Sequence, residues 1–171
     1  MLKPEIFKVL KIINQKLKGK KIKWVLVGST SLALQGVKIR PKDIDILTDK
    51  KGAFKINKLL KEYEVEPVKL KWWKLKNQKI LEYFGKFKIE GMNVEILANR
   101  KLGKKQKFLK RKFVFRKFIK FNRMKLPVAP IEEEVKVYSQ LGREKDLIRI
   151  KKIKEVLERK KDICTFAQLC K

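Results

Sequence analysis

Apolar positions recur at helical spacing from the start of the chain. After Pro4, the residues Ile6, Val9, Leu10, Ile13 and Leu17 share one face, which predicts a helix ended by Gly19 and its flanking lysines. The apolar run over residues 22–27 predicts a first buried strand, and small residues then lead into a short helix over 30–35, closed by Gly36. In the strand expected over 43–48, Asp43 and Asp45 alternate with Ile44 and Ile46, as a strand with two different faces does. A helix over 52–62 carries Phe54, Ile56, Leu59 and Leu60 as its stripe. Residues 79–89 and 92–97 read as a hairpin turning at Glu90 and Gly91. Glu95 there shares a face with Asn93 and Leu97.

From residue 100 to 125 the pattern changes: 13 of 26 residues are Lys or Arg and none is acidic. The expectation is a short helix followed by one or two strands around 112–121, with Phe113, Phe115, Phe118 and Phe121 in the core. Pro127 and Pro130 precede helices at 131–141 and 143–160, with a last short helix near 163–169. The fold class expected is α/β (α+β), a small mixed sheet flanked by helices with a mostly helical C-terminal lobe. The composition shift suggests a division into 1–98, a sheet-bearing core, and 99–171, the basic segment and helical lobe.

A chain of 171 residues, 44% apolar, suffices for one core or two small lobes sharing one. No apolar run approaches ~18 residues and no signal-peptide pattern is visible, so a cytoplasmic protein without a membrane partner is expected. There is no histidine, which removes histidine general-base chemistry, and Cys164 and Cys170 alone are too few for a zinc site. Lysine abundance with few Asn, Gln, Cys or Met suggests a thermophile. Ion-pair networks do not account for 47 bases against 18 acids, however. A net charge of +29 calls for a polyanionic partner, most simply a nucleic acid.

The chemistry concentrates where Gly28 and Ser29 are followed, after 13 residues, by Asp43-Ile44-Asp45. Strand alternation sends Asp43 and Asp45 to one face, about 6.6 Å apart. There they repel by ~2.5 kcal/mol at an effective dielectric near 20. A hard, oxygen-seeking cation such as Mg²⁺ would turn that repulsion into binding. The free N–H groups of a helix opening at Gly28 and Ser29 suit a phosphate.

These residues resemble the nucleotidyltransferase superfamily typified by DNA polymerase beta. In that family a Gly-Ser or Gly-Gly turn holds the triphosphate, an Asp-x-Asp strand binds divalent metal, and a later strand adds a third carboxylate. Residues 28–36, Gly-Ser-Thr-Ser-Leu-Ala-Leu-Gln-Gly, are similar to a string found in a small branch of it. That branch includes aminoglycoside and minimal nucleotidyltransferases and abortive-infection nucleotidyltransferase toxins. Gly142-Arg-Glu-Lys-Asp146, after an apolar helix bearing Lys136, is similar to a second pattern there, although Arg149 stands where an acid is common. The resemblance implies Mg²⁺, one or two ions, on Asp43, Asp45 and Glu95, and an NTP whose phosphates meet Gly28 and Ser29. Lys42, Lys136 and Lys145 are candidates to neutralise triphosphate charge. The implied activity moves an NMP from the NTP to an acceptor hydroxyl, with RNA (a transfer RNA) favoured by the net charge. A small hydroxylated molecule or a protein hydroxyl remains as acceptor.

In the basic segment, Lys104, Lys105, Lys107, Lys110, Arg111, Arg116 and Lys117 are the candidate nucleic-acid contacts. Glu132, Glu133 and Glu134 follow Pro130 and read as acids offsetting a helix dipole. Trp72 and Trp73, set among lysines, suit either packing or stacking on an acceptor. Two alternatives stand beside the enzyme: an inactive nucleotidyltransferase scaffold that binds nucleic acid, and one half of a toxin–antitoxin pair.

Overall fold

A computed structural model describes residues 2–75, 78–104, 107–110 and 116–169, with the side chains at 75, 78, 102, 104, 107–110 and 160–169 excepted. Its described strands form one mixed sheet in the order β3-β4-β5-β2-β1-β8-β7, with β6 paired to β5. In chain order these are β1 (Trp24–Val27), β2 (Asp43–Thr48), β3 (Glu64–Leu75), β4 (Gln78–Ile89), β5 (Met92–Lys104), β6 (Lys107–Lys110), β7 (Lys117–Phe121) and β8 (Met124–Val128). The helices are α1 (Pro4–Leu17), α2 (Gly28–Leu34), α3 (Lys50–Leu59), α4 (Ile131–Leu141) and α5 (Glu144–Leu169).

Helix α1 forms as its apolar spacing predicts, with Pro4 in the first turn and Ile6, Val9, Leu10, Ile13 and Leu17 buried. Asp49 caps α3 by accepting the Gly52 N–H at 2.6 Å. These two helices cover one face of the sheet, where Ile44, Ile46, Val94, Ile96 and Phe87 complete the main core. On the other side, Leu32 of α2 packs with Ile131, Tyr138, Ile153 and Val156 of α4 and α5. The hairpin between β4 and β5 turns at Glu90 and Gly91, both with positive φ, as a two-residue connection of that twist requires.

Several expectations are corrected. Residues 64–75, which carried no strand expectation, form β3, an edge strand paired with β4. The helix expected just after residue 100 is strand: β5 runs on to Lys104 and β6 pairs back on it. The two C-terminal helices are one, α5. Phe118 is 48% exposed instead of buried, with the Lys125 ammonium 4.8 Å from its ring centre, because β7 is an edge strand with one open face. Phe121 does pack against the core, edge-on to Phe7. Phe113, Phe115, Lys105, Arg111 and Cys170 lie outside the described residues. Among the described residues no helix is long and apolar enough to cross a membrane.

Ile44 lies fully buried between the two aspartates of β2 and anchors that strand to the main core. Ile44→Ala should cost ~2–5 kcal/mol in denaturant unfolding, since the rigid sheet cannot collapse onto the space left behind.

Candidate functional site

Strand β2 runs parallel to β5 in a register that sets Asp43 opposite Asn93 and Asp45 opposite Glu95. The apolar residues of both strands turn into the main core, so the three carboxylates emerge together on the other face. They line one cleft of about 420 Å³. Gly28 sits at the same spot, since β1 pairs antiparallel with β2 and ends with Val27 opposite Asp45. A Cβ at Gly28 would lie 2.3 Å from Asp45 Oδ2, and the residue has φ +72°. Only glycine fits both demands.

The turn into α2 holds the acidic strand directly. Ser29 Oγ donates to Asp43 Oδ1 at 3.3 Å, and Thr30 Oγ1 donates to the Asp43 carbonyl at 2.7 Å. The Gly28 N–H donates to Glu134 Oε1 at 2.9 Å across 106 residues of sequence. Glu134 is thus a buried member of the cleft, beyond the role of offsetting the helix dipole expected of it together with Glu132 and Glu133. Its helix brings it there: Ile131, Glu134 and Tyr138 fall on the buried face of α4 at spacings of three and four.

Glu82 and Arg100 also line the cleft and had no place in the sequence reading. Arg100 donates through Nε and Nη2 to the two oxygens of Glu82, at 2.6 and 3.0 Å. The pairing depends on an irregularity between β4 and β5, where Leu81 faces Lys101 but Tyr83 faces Ala98. The extra residue falls at Asn99–Arg100, and Asn99 takes φ +51°. Such a bulge re-aims a side chain. Here the re-aimed side chain is Arg100.

The far wall of the cleft is basic. Arg143, Lys145 and Arg149, from the α4–α5 corner, face the carboxylates, and Lys74 joins them from β3. Asp146, fully buried, accepts from Arg143 Nε at 2.6 Å and lies 3.5 Å from Arg149 Nη1. The residue that departs from the resembled pattern, Arg149, is therefore a wall residue with its guanidinium 5.2 Å from the Tyr138 ring centre. The Tyr138 hydroxyl is buried and has no hydrogen-bond partner among the described residues. Trp73 lines the cleft edge-on to Phe84, while Trp72 is 65% exposed on the opposite face.

Other candidates lie apart. Lys42 is exposed and outside the cleft lining, and Lys136 pairs with Glu133 at 2.6 Å on the surface. Arg116 and Lys117 are exposed, and Lys104, Lys107 and Lys110 sit on the β5–β6 ribbon.

Burial, and after it the crowding of carboxylates, sets the electrostatics. Burial, then the charges of Asp43 and Glu95, push the Asp45 carboxyl up to about 8. Glu95 is raised as well, by burial and then by Asp43, with Lys86 opposing. Burial works against the charge on Arg100, but Glu82 and the neighbouring acids outweigh it and hold the guanidinium charged. Among the described residues no three acidic side chains stand ready-made around an ion. The donors gathered are nevertheless all oxygens, without histidine or thiol, which suits a hard divalent cation.

Two outcomes follow from this geometry. Gly28→Ala should displace Asp45 and lower the melting temperature, with ~1–3 kcal/mol of backbone strain added to the clash. Asp45 binds its proton more tightly folded than unfolded, so its share of stability is complete below about pH 4 and is lost as pH rises through about 8. In metal-free buffer the melting temperature should therefore fall over that window, and Asp45→Asn should flatten the fall.

Comparisons with known proteins bear on the family and the fold. A family model described as aminoglycoside-2''-adenylyltransferase matches residues 8–153, which span every cleft residue named above. A Thermotoga maritima protein with a crystal structure at 1.87 Å, assigned as a nucleotidyltransferase, is 32% identical to this chain. It covers 93% of this chain and 96% of its own length, with a TM-score of 0.75. Lincomycin-bound LnuA, a lincosamide antibiotic adenylyltransferase, is 16% identical over 90% of this chain and 97% of its own, with a TM-score of 0.49. Among curated proteins none matches the chain. With the model spanning both walls of the cleft, the chain belongs to the aminoglycoside-2''-adenylyltransferase family of the nucleotidyltransferase superfamily.

Proposed function

We propose that the protein transfers a nucleoside monophosphate from a nucleoside triphosphate to an acceptor hydroxyl, in a Mg²⁺-dependent reaction. The observation that carries the reading is the convergence of Asp43, Asp45 and Glu95 beside Gly28 in a cleft whose opposite wall is basic. Asp43, Asp45 and Glu95 would hold the cation, which when bound neutralises phosphate charge and favours in-line displacement.

The chain's own groups do the remainder. Arg143, Lys145, Arg149 and Lys74 take the β- and γ-phosphates as charge partners, joined by the Gly28 N–H once Glu134 yields it. The acceptor oxygen attacks the α-phosphorus, the bond to the bridging oxygen breaks, and pyrophosphate leaves. Glu95, set directly opposite Asp45, accepts the hydroxyl proton. The buried Tyr138 hydroxyl, otherwise an uncompensated polar group, donates to a phosphate oxygen.

The net charge of +29 supports a phosphate-bearing acceptor, RNA, and Lys104, Lys107 and Lys110 lie on the β5–β6 ribbon that continues the cleft's β4–β5 wall. A second reading, a small hydroxylated acceptor, is favoured by the family's description. Incubation with Mg²⁺, each α-³²P NTP, and either total RNA or an aminoglycoside separates them. Label in RNA supports the first and label in the aminoglycoside the second. Label in neither, with no Mg²⁺-dependent NTP binding in calorimetry, leaves the inactive scaffold.

Asp45→Asn should abolish transfer while leaving the protein folded. Tyr138→Phe should weaken NTP binding ~10–100-fold, the worth of a hydrogen bond to a charged group, without loss of melting temperature. Unchanged NTP affinity in that variant would remove the tyrosine from the site.

A further inference from the structure

A second cavity, of about 920 Å³, opens at the far end of α2. Its lining includes four bases, Lys3, Lys38, Arg40 and Lys152, and no acid. None of the four makes an ion pair among the described residues, whereas Arg100, Arg143 and Arg149 in the cleft all do. The loop from α2 to β2 builds the cavity by alternation. Val37 and Pro41 are buried and Ile39 is half-buried, while Lys38, Arg40 and Lys42 point out between them. The apolar residues pin the backbone to the α4–α5 core, so the bases project from a fixed edge.

Capping does not explain the cations. The carbonyls of Leu32 and Ala33 at the end of α2 already accept from the N–H groups of Gln35, Val37 and Gly36. Like charges held around one concave surface repel, and no carboxylate offsets them. An anion would.

We propose that this cavity binds phosphate groups of a nucleic-acid strand whose hydroxyl end enters the cleft. The assignment rests on the nucleotidyl-transfer reading for its direction. Its geometry is independent of that reading: Gly28 opens α2 in the cleft and Gly36, just past its end, lines the cavity, with a seven-residue helix about 10 Å long between them. A strand held at both ends of α2 is positioned by its backbone and presents one hydroxyl to the carboxylates. In the chain, exposed Lys42 links Pro41 of the cavity lining to Asp43 of the cleft lining.

The test is anisotropy of a fluorescent 12-nucleotide single-stranded RNA over a salt series, with the full chain and two triple variants. K38Q/R40Q/K152Q removes three of the cavity's four bases, and K51Q/K55Q/K58Q removes the same charge from α3, which does not line it. The cavity variant should bind at least tenfold more weakly, with a salt slope shallower by about 2, as three lost single-strand phosphate contacts require. The α3 variant should stay within about threefold of the parent. Equal weakening in both variants would show a diffuse field instead of a site, and an unchanged cavity variant would overturn the assignment outright. Calorimetry with Mg²⁺ and NTP runs alongside on the parent. Absence of NTP binding there would sink the enzymatic reading while leaving the RNA result to stand or fall separately.

Discussion

The pairing of β2 with β5 is the constraint on which the site depends. It places Asp45 directly opposite Glu95, on strands about 4.8 Å apart, with Asp43 two residues along. Like charges opposite one another destabilise a sheet, and nothing local repays them. Stability comes from the reverse face, where Ile44, Ile46, Val94 and Ile96 are fully buried. The core thus holds together a set of acids that would otherwise separate. Asp45 relieves part of the repulsion by taking up a proton, and Arg100 brings a fixed positive charge into the same cleft.

The half of this arrangement that follows from period-two alternation was legible in the chain. Acidic and apolar residues alternate through 43–46, and polar and apolar ones through 93–96, so which side chains share a face follows without coordinates, and β2 has the bounds expected. Helix α4 was legible for a similar reason, because Pro130 starts it and Gly142 stops it in a left-handed cap. Strand β3 was not. Its outward face carries the apolar Val65, Leu70 and Trp72, all more than half exposed, while Glu64, Glu66 and Lys71 lie on the inward one, so polarity does not follow burial and left no apolar alternation to read. The Lys-rich end of β5 failed likewise, since propensity says little about a ribbon held by pairing on both sides.

The residues the sequence reading missed share one physical feature: each depends on a position that local pattern does not set. Glu82 meets Arg100 only because one extra residue sits in β5, and a single-residue register shift has no signature in composition. Glu134 is one of three consecutive glutamates, and its role follows from which of them faces α2 once α4 has docked. An available signal was the i, i+4 pairing of Glu134 with Tyr138 on an apolar helix face, where a carboxylate is out of place unless it has work to do.

The short helix α2 ties these parts together, which explains why its sequence is so rich in small and apolar residues. Its first residue must be glycine to clear Asp45. Its hydroxyls, on Ser29 and Thr30, hold the acidic strand at a side chain and a carbonyl. Leu32 buries into the helical core, and Gln35 donates both to Ser31 and to the Ala129 carbonyl just before α4. This seven-residue helix and the Gln35 that caps it therefore touch the sheet wall, the helical wall and the connection between them. A shift of α4 and α5 relative to the sheet is resisted along its whole length, and the Gly28–Glu134 hydrogen bond is the contact in the cleft that such a shift would break. The acids and the bases of the cleft come from distant stretches of chain, and α2 is the part that fixes their separation.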